Sequence, residues 1–445
     1  MKMTFVSAAV LGAMLTVSCS KSGSPAAVGL EQLHQEIRSA GYPATLEELN
    51  AWYAPVPDPE NAAVDYIAAF ELMEGTDPGG NKLESLVLRP DSLPRGVPFP
   101  EDWLAEVKGH LDQSAAPLEK IKVASAKSKS RYPIDLNKGF IVEFPHLGTA
   151  RSAGRLVSLA AYQSAAAGDF DAYTEYHRQI FAVADSLAME PTLISQLVWI
   201  AVRQVAFTNL QETMSRYAIP DTALVELRKI HRDTETKESY ERAYVGERIF
   251  GASNIHAIYT GELDVEAHEN LFVSESLKQS VMNAARASEN QSLLEEEIAY
   301  LRAFDPILNA KSKSWPEILD AGGQVDLALR SENSLMAGSI ADMITRSVAA
   351  FARDAAANRT AAIATSIEQF RNKRNRLPVD LLEMVPEYFQ AVPKDPFDDK
   401  PLKYKRLPVG YVVYSVYMDK ADEGGVDFDH SAEVVKGDFP FRVLR

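Results

Sequence analysis

The sequence predicts a mainly α-helical chain, a helical array or bundle, followed by a small α+β module at its C-terminal end. Three observations carry that prediction. Apolar residues recur at three- and four-residue intervals in segments from Leu30 to about Arg376, the spacing that puts them on one helix face. After Leu377 the texture turns to short β-branched and aromatic runs between Pro and Gly turns, which is a strand and hairpin signal. The composition is globular, with 46% apolar and 24% charged residues and 23 Gly and 24 Pro in 445 residues. A wholly disordered, collagen-like or coiled-coil chain is thereby excluded.

Charge and cysteine content narrow the function classes. The 46 Lys and Arg against 62 Asp and Glu leave a net charge of −16. Phosphate binding wants the opposite balance, so no nucleic-acid partner is expected. A single cysteine rules out an internal disulfide and a thiolate metal cluster.

The first segment is an address. Lys2 precedes an uncharged run from Phe5 to Val17, the length of a signal-peptide hydrophobic region and short of the roughly 20 residues that span a bilayer. The run ends in Leu15-Thr16-Val17-Ser18-Cys19. Small residues before a cysteine at this place resemble a bacterial lipoprotein signal. The resemblance implies that residues 1–18 are removed, that the Cys19 thiol is diacylated and that the new amino terminus is acylated. An ordinary secretory signal with an incidental cysteine is the alternative. Each buried methylene of an acyl chain contributes about 0.8 kcal/mol, so two or three chains hold a protein firmly at a membrane. Ser20 follows the cysteine, where the family's inner-membrane retention signal has Asp, which points to the outer membrane. The mature chain is then an extracytoplasmic protein of the cell envelope. Residues 19–29 are small and read as a flexible tether.

Residues 30–333 read as one helical unit. Leu33 and Ile37 form a short amphipathic helix that stops at Gly41-Tyr42-Pro43. Residues 76–100 are rich in Pro and Gly and read as loop. Lys120, Lys122, Lys127, Lys129 and Arg131 read as a solvated helix end and loop. The clearest element is a helical hairpin over about Thr149 to Met189. Leu156, Leu159 and Ala160 mark its first helix, and Tyr173, Ile180, Phe181 and Ala184 its second. Gly168 supplies the left-handed stop and Asp169 the next cap. The Gly168-Asp169-Phe170 turn resembles that of one tetratricopeptide hairpin, although Ser164 and Tyr173 stand where that pattern has alanine. No repeat at the roughly 34-residue period accompanies it. Pro191 opens a third helix, apolar nearly all round and therefore buried. Further helices are expected around Asp221–Tyr259 and Ser274–Ala303.

Residues 334–445 read as a long helix plus the α+β module. The helix, Ser334–Arg376, carries a stripe of Ile340, Ile344, Val348, Phe351, Ile363, Ile367 and Phe370. It ends in Arg371, Lys373, Arg374 and Arg376, cations that suit the negative helix terminus. A hairpin follows, Leu402–Lys405 and Tyr411–Tyr417 around Pro408-Val409-Gly410, with both faces of the second strand apolar.

The order of motifs from Arg359 to Gly425 is informative. A basic helix end is followed by Leu377-Pro378, Leu381, Glu383, Val385-Pro386 and Tyr388. Then come Val392-Pro393-Lys394-Asp395-Pro396-Phe397, Pro401-Leu402, Tyr404, Gly410-Tyr411, Tyr414-Ser415, Asp419 and Gly424-Gly425. This resembles the C-terminal globular half of a type II secretion major pseudopilin. The resemblance implies the fold of one module only, because pseudopilins carry it behind their own N-terminal hydrophobic helix. Taken whole, the chain resembles uncharacterised bacterial lipoproteins that join a helical body to this ending. Pro43, Leu46, Glu48, Leu49 and Tyr53 echo Pro378, Leu381, Glu383, Met384 and Tyr388 at a constant offset of 335 positions. Convergence on proline at a first helical turn is the favoured origin.

Motifs of catalysis are sparse. His268-Glu269 begins a zinc protease pattern, but Phe272 ends it. No nucleophile elbow, penicillin-binding set or phosphate loop occurs, so no catalytic residue is assigned. Glu241-Arg242, Glu247-Arg248 and Glu295-Glu296-Glu297 read as solvated helix surface, and Trp199 and Tyr244 as core. One cluster stands out, Asp419, Asp422, Glu423, Asp427 and Asp429 around Gly424-Gly425. Calcium takes six to eight oxygens from such loops, and the pseudopilin resemblance implies a calcium site after this strand. Its candidate ligands are Ser415, Asp419, Asp422 and Asp427. Lys420 replaces the small residue usual there, and a solvated acidic loop is the alternative. The leading expectation is a non-catalytic interaction or scaffold lipoprotein that takes an envelope protein or peptide in a helical groove. The competing one is a surface hydrolase or carbohydrate-binding lipoprotein with a site assembled from scattered residues.

Overall fold

The computed structural model describes residues 24–90, 93–233, 237–262, 291–330, 337–428 and 436–445. It is mainly helical with one small antiparallel sheet near the C-terminus. The first helix, α1, is Pro25–Ser39. The reading of residues 19–29 as tether is corrected here for its last part. Ser24 Oγ accepts the Ala27 N–H, Pro25 opens the first turn and Ala26 is buried. Small residues do not prevent a helix when a serine cap and an N1 proline start it. Next comes α2, Leu46–Trp52, followed by α3, Ala62–Thr76. The loop reading of residues 76–100 is likewise corrected, because α4 occupies Asn81–Leu88 with Leu83 and Leu86 buried. Asp77 takes the Lys82 and Leu83 N–H groups at its start. Two further helices, α5 (Glu101–Gln113) and α6 (Ala115–Ser125), lead into the basic stretch.

The hairpin expected at the centre is present as α7 (His146–Ala166) and α8 (Phe170–Asp185). Gly168 has φ +76° and Asp169 Oδ1 accepts the Ala172 N–H at 3.0 Å. The third helix, α9, is Leu193–Arg216. Thr192 caps it, with Oγ1 accepting the Ser195 N–H at 3.2 Å, and Pro191 stays outside. Gly154 on α7 lets α9 approach, since a Cβ there would stand 2.8 Å from Val202 Cγ1. By length and composition α9 is apolar enough to cross a membrane, yet 61% of its most apolar window is buried inside the protein.

The body continues with α10 (Asp221–Asp233), α11 (Glu238–Thr260), α12 (Gln291–Ala303), α13 (Asp305–Asn309), α14 (Trp315–Leu329) and α15 (Ala337–Arg374). The part of the expected Ser274–Ala303 helix before Gln291 lies outside the described residues. Trp199 and Tyr244 are core, as the sequence suggests. A polar chain crosses this core. Arg203 on α9 bonds Asp354 on α15 at 2.9–3.1 Å and stacks on Phe181 and Trp199. Asn358 Nδ2 donates to Asp354 Oδ2, and His231 Nδ1 lies 3.0 Å from Asn358 Oδ1.

Strands β1 (Lys403–Arg406), β2 (Tyr411–Ser415) and β3 (Phe439–Val443) pair antiparallel in that order. The β1–β2 hairpin and the double-sided burial of β2 agree with the sequence reading. The third strand was not foreseen. It is an edge, and Pro440 is tolerated there. The sheet packs on α15 and α9, with the Phe207 and Phe439 rings 5.2 Å apart. Tyr411 Oη donates to Ala364 O at 3.1 Å. Helical body and sheet thus share one continuous apolar cluster running from Ala26 to Val443, and α15 belongs to both.

The 335-residue echo has a structural counterpart. Glu48 Oε2 accepts the Ala44 N–H and Glu383 Oε2 accepts the Val379 N–H, each at 2.8 Å and each four residues back. Arg38 and Arg376 pair with the two glutamates.

Candidate functional site

A cleft of about 530 Å³ lies where α1, α2, α11, α12 and the stretch 137–141 meet. Leu46, Ile141, Ile249 and Ala252 give it apolar walls, and His34, Lys138, His256 and Glu297 bring charge and proton chemistry. Its side chains come from five separate segments, so no local motif announces it.

Glu297 is the anchor. It belongs to the triplet read as solvated surface, and that reading is corrected, because Glu296 and Glu297 are buried and only Glu295 is exposed. Positions 293, 294, 297 and 301 share one face of α12, so Glu297 falls within the apolar stripe formed by Leu293, Leu294 and Leu301. Gly251 on α11 brings the helices together, since a Cβ there would collide with the Tyr300 ring. Glu297 Oε2 then meets His256 Nδ1 at 2.9 Å. The carboxylate side chain is 4% exposed and the imidazole 46%.

A carboxylate on Nδ1 holds that nitrogen protonated and leaves Nε2 as the working atom of the ring. The bond to Glu297 raises the His256 pKa above that of a free imidazole, against partial burial. His34, half-buried on α1, is displaced the other way, by burial first and despite the charge of Glu297 nearby. Two histidines of opposite displacement therefore line one cleft.

A second His–carboxylate cluster is closed. Glu190 accepts Ser195 Oγ at 2.6 Å through one oxygen and meets His146 Nε2 at 2.7 Å through the other. Glu190 stands between the serine and the histidine, an order that activates no nucleophile, and all three side chains are buried.

The pairs Glu241-Arg242 and Glu247-Arg248 are not solvated surface either. Glu241 Oε1 accepts Tyr42 Oη and Lys311 Nζ, each at 2.6 Å, and Arg242 stacks on Trp52. Arg248 is buried, and burial pushes the Glu247 carboxyl up to about 7. Helix α11 is covered on several sides, which a pairwise reading of charges along one helix does not reveal.

Cys19 and His268-Glu269 lie outside the described residues. The calcium candidates are spread over different bonds. Ser415 Oγ donates to Asp395 Oδ1 at 2.8 Å. Asp419 accepts the Ala421 N–H at 3.1 Å and the Gly437 N–H at 3.3 Å. Asp422 accepts Tyr414 Oη at 2.8 Å, and Asp427 pairs with Arg442 at 2.5 Å. No three His, Cys, Asp or Glu side chains are grouped to hold a metal ion among the described residues. A buried carboxylate beside these candidates is Asp438, which the sequence reading passed over. Its Oδ2 accepts the Gly425 N–H at 2.7 Å, and burial raises it to about 6. Asp395, from the Val392–Phe397 motif, clasps the end of β2 by also accepting the Val416 N–H at 2.8 Å. Comparison of the chain with family models, with curated proteins and with solved structures finds no match.

Proposed function

We propose that the chain is a lipid-anchored protein of the bacterial cell envelope, held at Cys19, whose helical body is a binding scaffold with its ligand site in the α1–α2–α11–α12 cleft. The observation that carries the binding half is His256 fixed by buried Glu297 at 2.9 Å in an apolar-walled cavity. Apolar walls with a few oriented polar groups are the usual make-up of a ligand site. Glu47 and Glu262 on the lining suit an amine, and the walls suit an aliphatic side chain, so the ligand class is a short peptide with an apolar residue at its amino end. The membrane half rests on the Leu15–Cys19 sequence.

The test uses the full mature chain in detergent and a pool of tetrapeptides with free amino termini. Binding is read from the His34 and His256 ring signals in NMR spectra. Peptides with Leu or Ile first are expected to shift both rings, and Ala257→Trp, which fills the cleft from its lining, to abolish the shift. Unchanged rings across the pool defeat the peptide reading.

A further inference from the structure

We propose that His34 and His256 are a general base and a general acid that hydrolyse a carboxylic ester with an apolar acyl group in this cleft. The inference rests on the reading of the cleft as a ligand site. It goes beyond that reading by assigning a reaction.

The geometry has three parts. Both imidazoles line the same cavity, one from α1 and one from α11, and the apolar side chains of Leu46, Ile249 and Ala252 line it with them. Glu297 holds Nδ1 of His256, so the proton His256 can give away is on Nε2, the ring atom with no partner among the described residues. His34 makes no hydrogen bond to any described residue, so its ring is at liberty to take a proton. Glu297, Arg38, Glu31 and Glu48 are the charges that act on His34, and Glu297 and Glu262 those that act on His256. With burial, they displace His34 below a free imidazole and His256 above it, so His256 keeps its proton to a higher pH than His34, the order that a base and an acid in one site require.

The step balances without a cofactor. A ring nitrogen of His34 takes a proton from water while the water oxygen bonds to the carbonyl carbon. The tetrahedral intermediate collapses with cleavage of the bond from carbon to the ester oxygen. The leaving oxygen takes the Nε2 proton of His256. Ester and water become acid and alcohol, and the two imidazoles regain their starting states by proton exchange with solvent.

Two esters of one acid test it on the full mature chain in detergent. Ethyl butyrate has a poor leaving group and needs the acid, whereas p-nitrophenyl butyrate does not. His34→Gln is expected to lose about 10²-fold or more on both esters. His256→Gln is expected to lose a similar factor on ethyl butyrate and little on the activated ester. Rate against pH is expected to be bell-shaped, falling in acid as His34 protonates and in base as His256 deprotonates. In Glu297→Gln the basic limb is expected to move to lower pH, a change that lost packing alone would not produce. Melting curves confirm that each variant is folded. No hydrolysis of either ester above buffer, or hydrolysis that survives both histidine substitutions, overturns the proposal. Peptide-induced shifts of the two rings in that case leave the binding site standing without catalysis, and their absence removes both.

Discussion

His177 Nε2 and His231 Nε2 lie 3.1 Å apart in the core, and one proton is shared between them in a direction the neighbours dictate. Asn358 gives its amide hydrogens to Asp354, so its oxygen must accept from His231 Nδ1. His231 Nε2 is then an acceptor, and His177 Nε2 is the donor. Both rings are neutral. Burial lowers the pKa of His231 to about 4 and that of His177 well below its ordinary value.

This relationship predicts an acid-sensitive core. The folded pKa of His231 lies below the unfolded value of 6.5, so the unfolded chain binds the proton first as the pH drops. Stability from this group is full above about 6.5 and is lost between there and about 4. Wild type is expected to exceed His231→Gln in stability at pH 7.5, and the gap is expected to shrink by about 3 kcal/mol by pH 4. Urea unfolding of both proteins across this range checks it, and a constant gap contradicts it.

Asp395 is predicted to be worth far more than the exposed acid beside it. Its carboxylate takes Ser415 Oγ and the N–H groups of Phe397 and Val416 in a buried setting. Asp395→Ala strands those donors and is expected to cost about 3 kcal/mol. Asp399→Asn, which breaks only an exposed pair with Lys394, is expected to cost less than about 0.5 kcal/mol. Equal urea midpoints for the two variants would refute the clasp.

Calcium is expected to leave the melting temperature unchanged. Ser415 is bound to Asp395 and Asp427 to Arg442, so an ion held by Ser415, Asp419, Asp422 and Asp427 must first break both bonds. Scans of the full chain in calcium and in chelator check this. A rise of several degrees with calcium, lost in Asp419→Ala, restores the calcium site.

Mass spectrometry of the mature protein tests the anchor. Cleavage before Cys19 with diacylated thiol and acylated amine is expected, and Cys19→Ala is expected to carry no lipid and to leave the membrane fraction. A wild-type mature chain without acyl mass sinks the lipoprotein proposal.

Local chemistry was legible in advance wherever it rests on neighbours in sequence. Gly168 and Asp169 set the α7–α8 turn, Gly410 with φ +76° closes the β1–β2 hairpin, and the Tyr411–Ser415 run is buried on both faces. Helix starts were harder, since the first turn of α1 and the whole of α4 lie in stretches whose small residues and glycines look like linker.

The cleft was not legible. Glu297 looked like one of three surface charges, and only the packing of α12 against α11 turns it inward to His256. Asp438 and the third strand were missed for the same reason, since Gly425 N–H, which Asp438 binds, is 13 residues away. The helical class, the central hairpin and the β-hairpin follow from local chemistry, because caps, periodicity and turns act over four or five residues. The tertiary structure alone decided which charges are buried, that one core unites body and sheet, and that His34, His256 and Glu297 meet. Burial and electrostatic pairing depend on which elements come together in space, and that is written in no single stretch of chain.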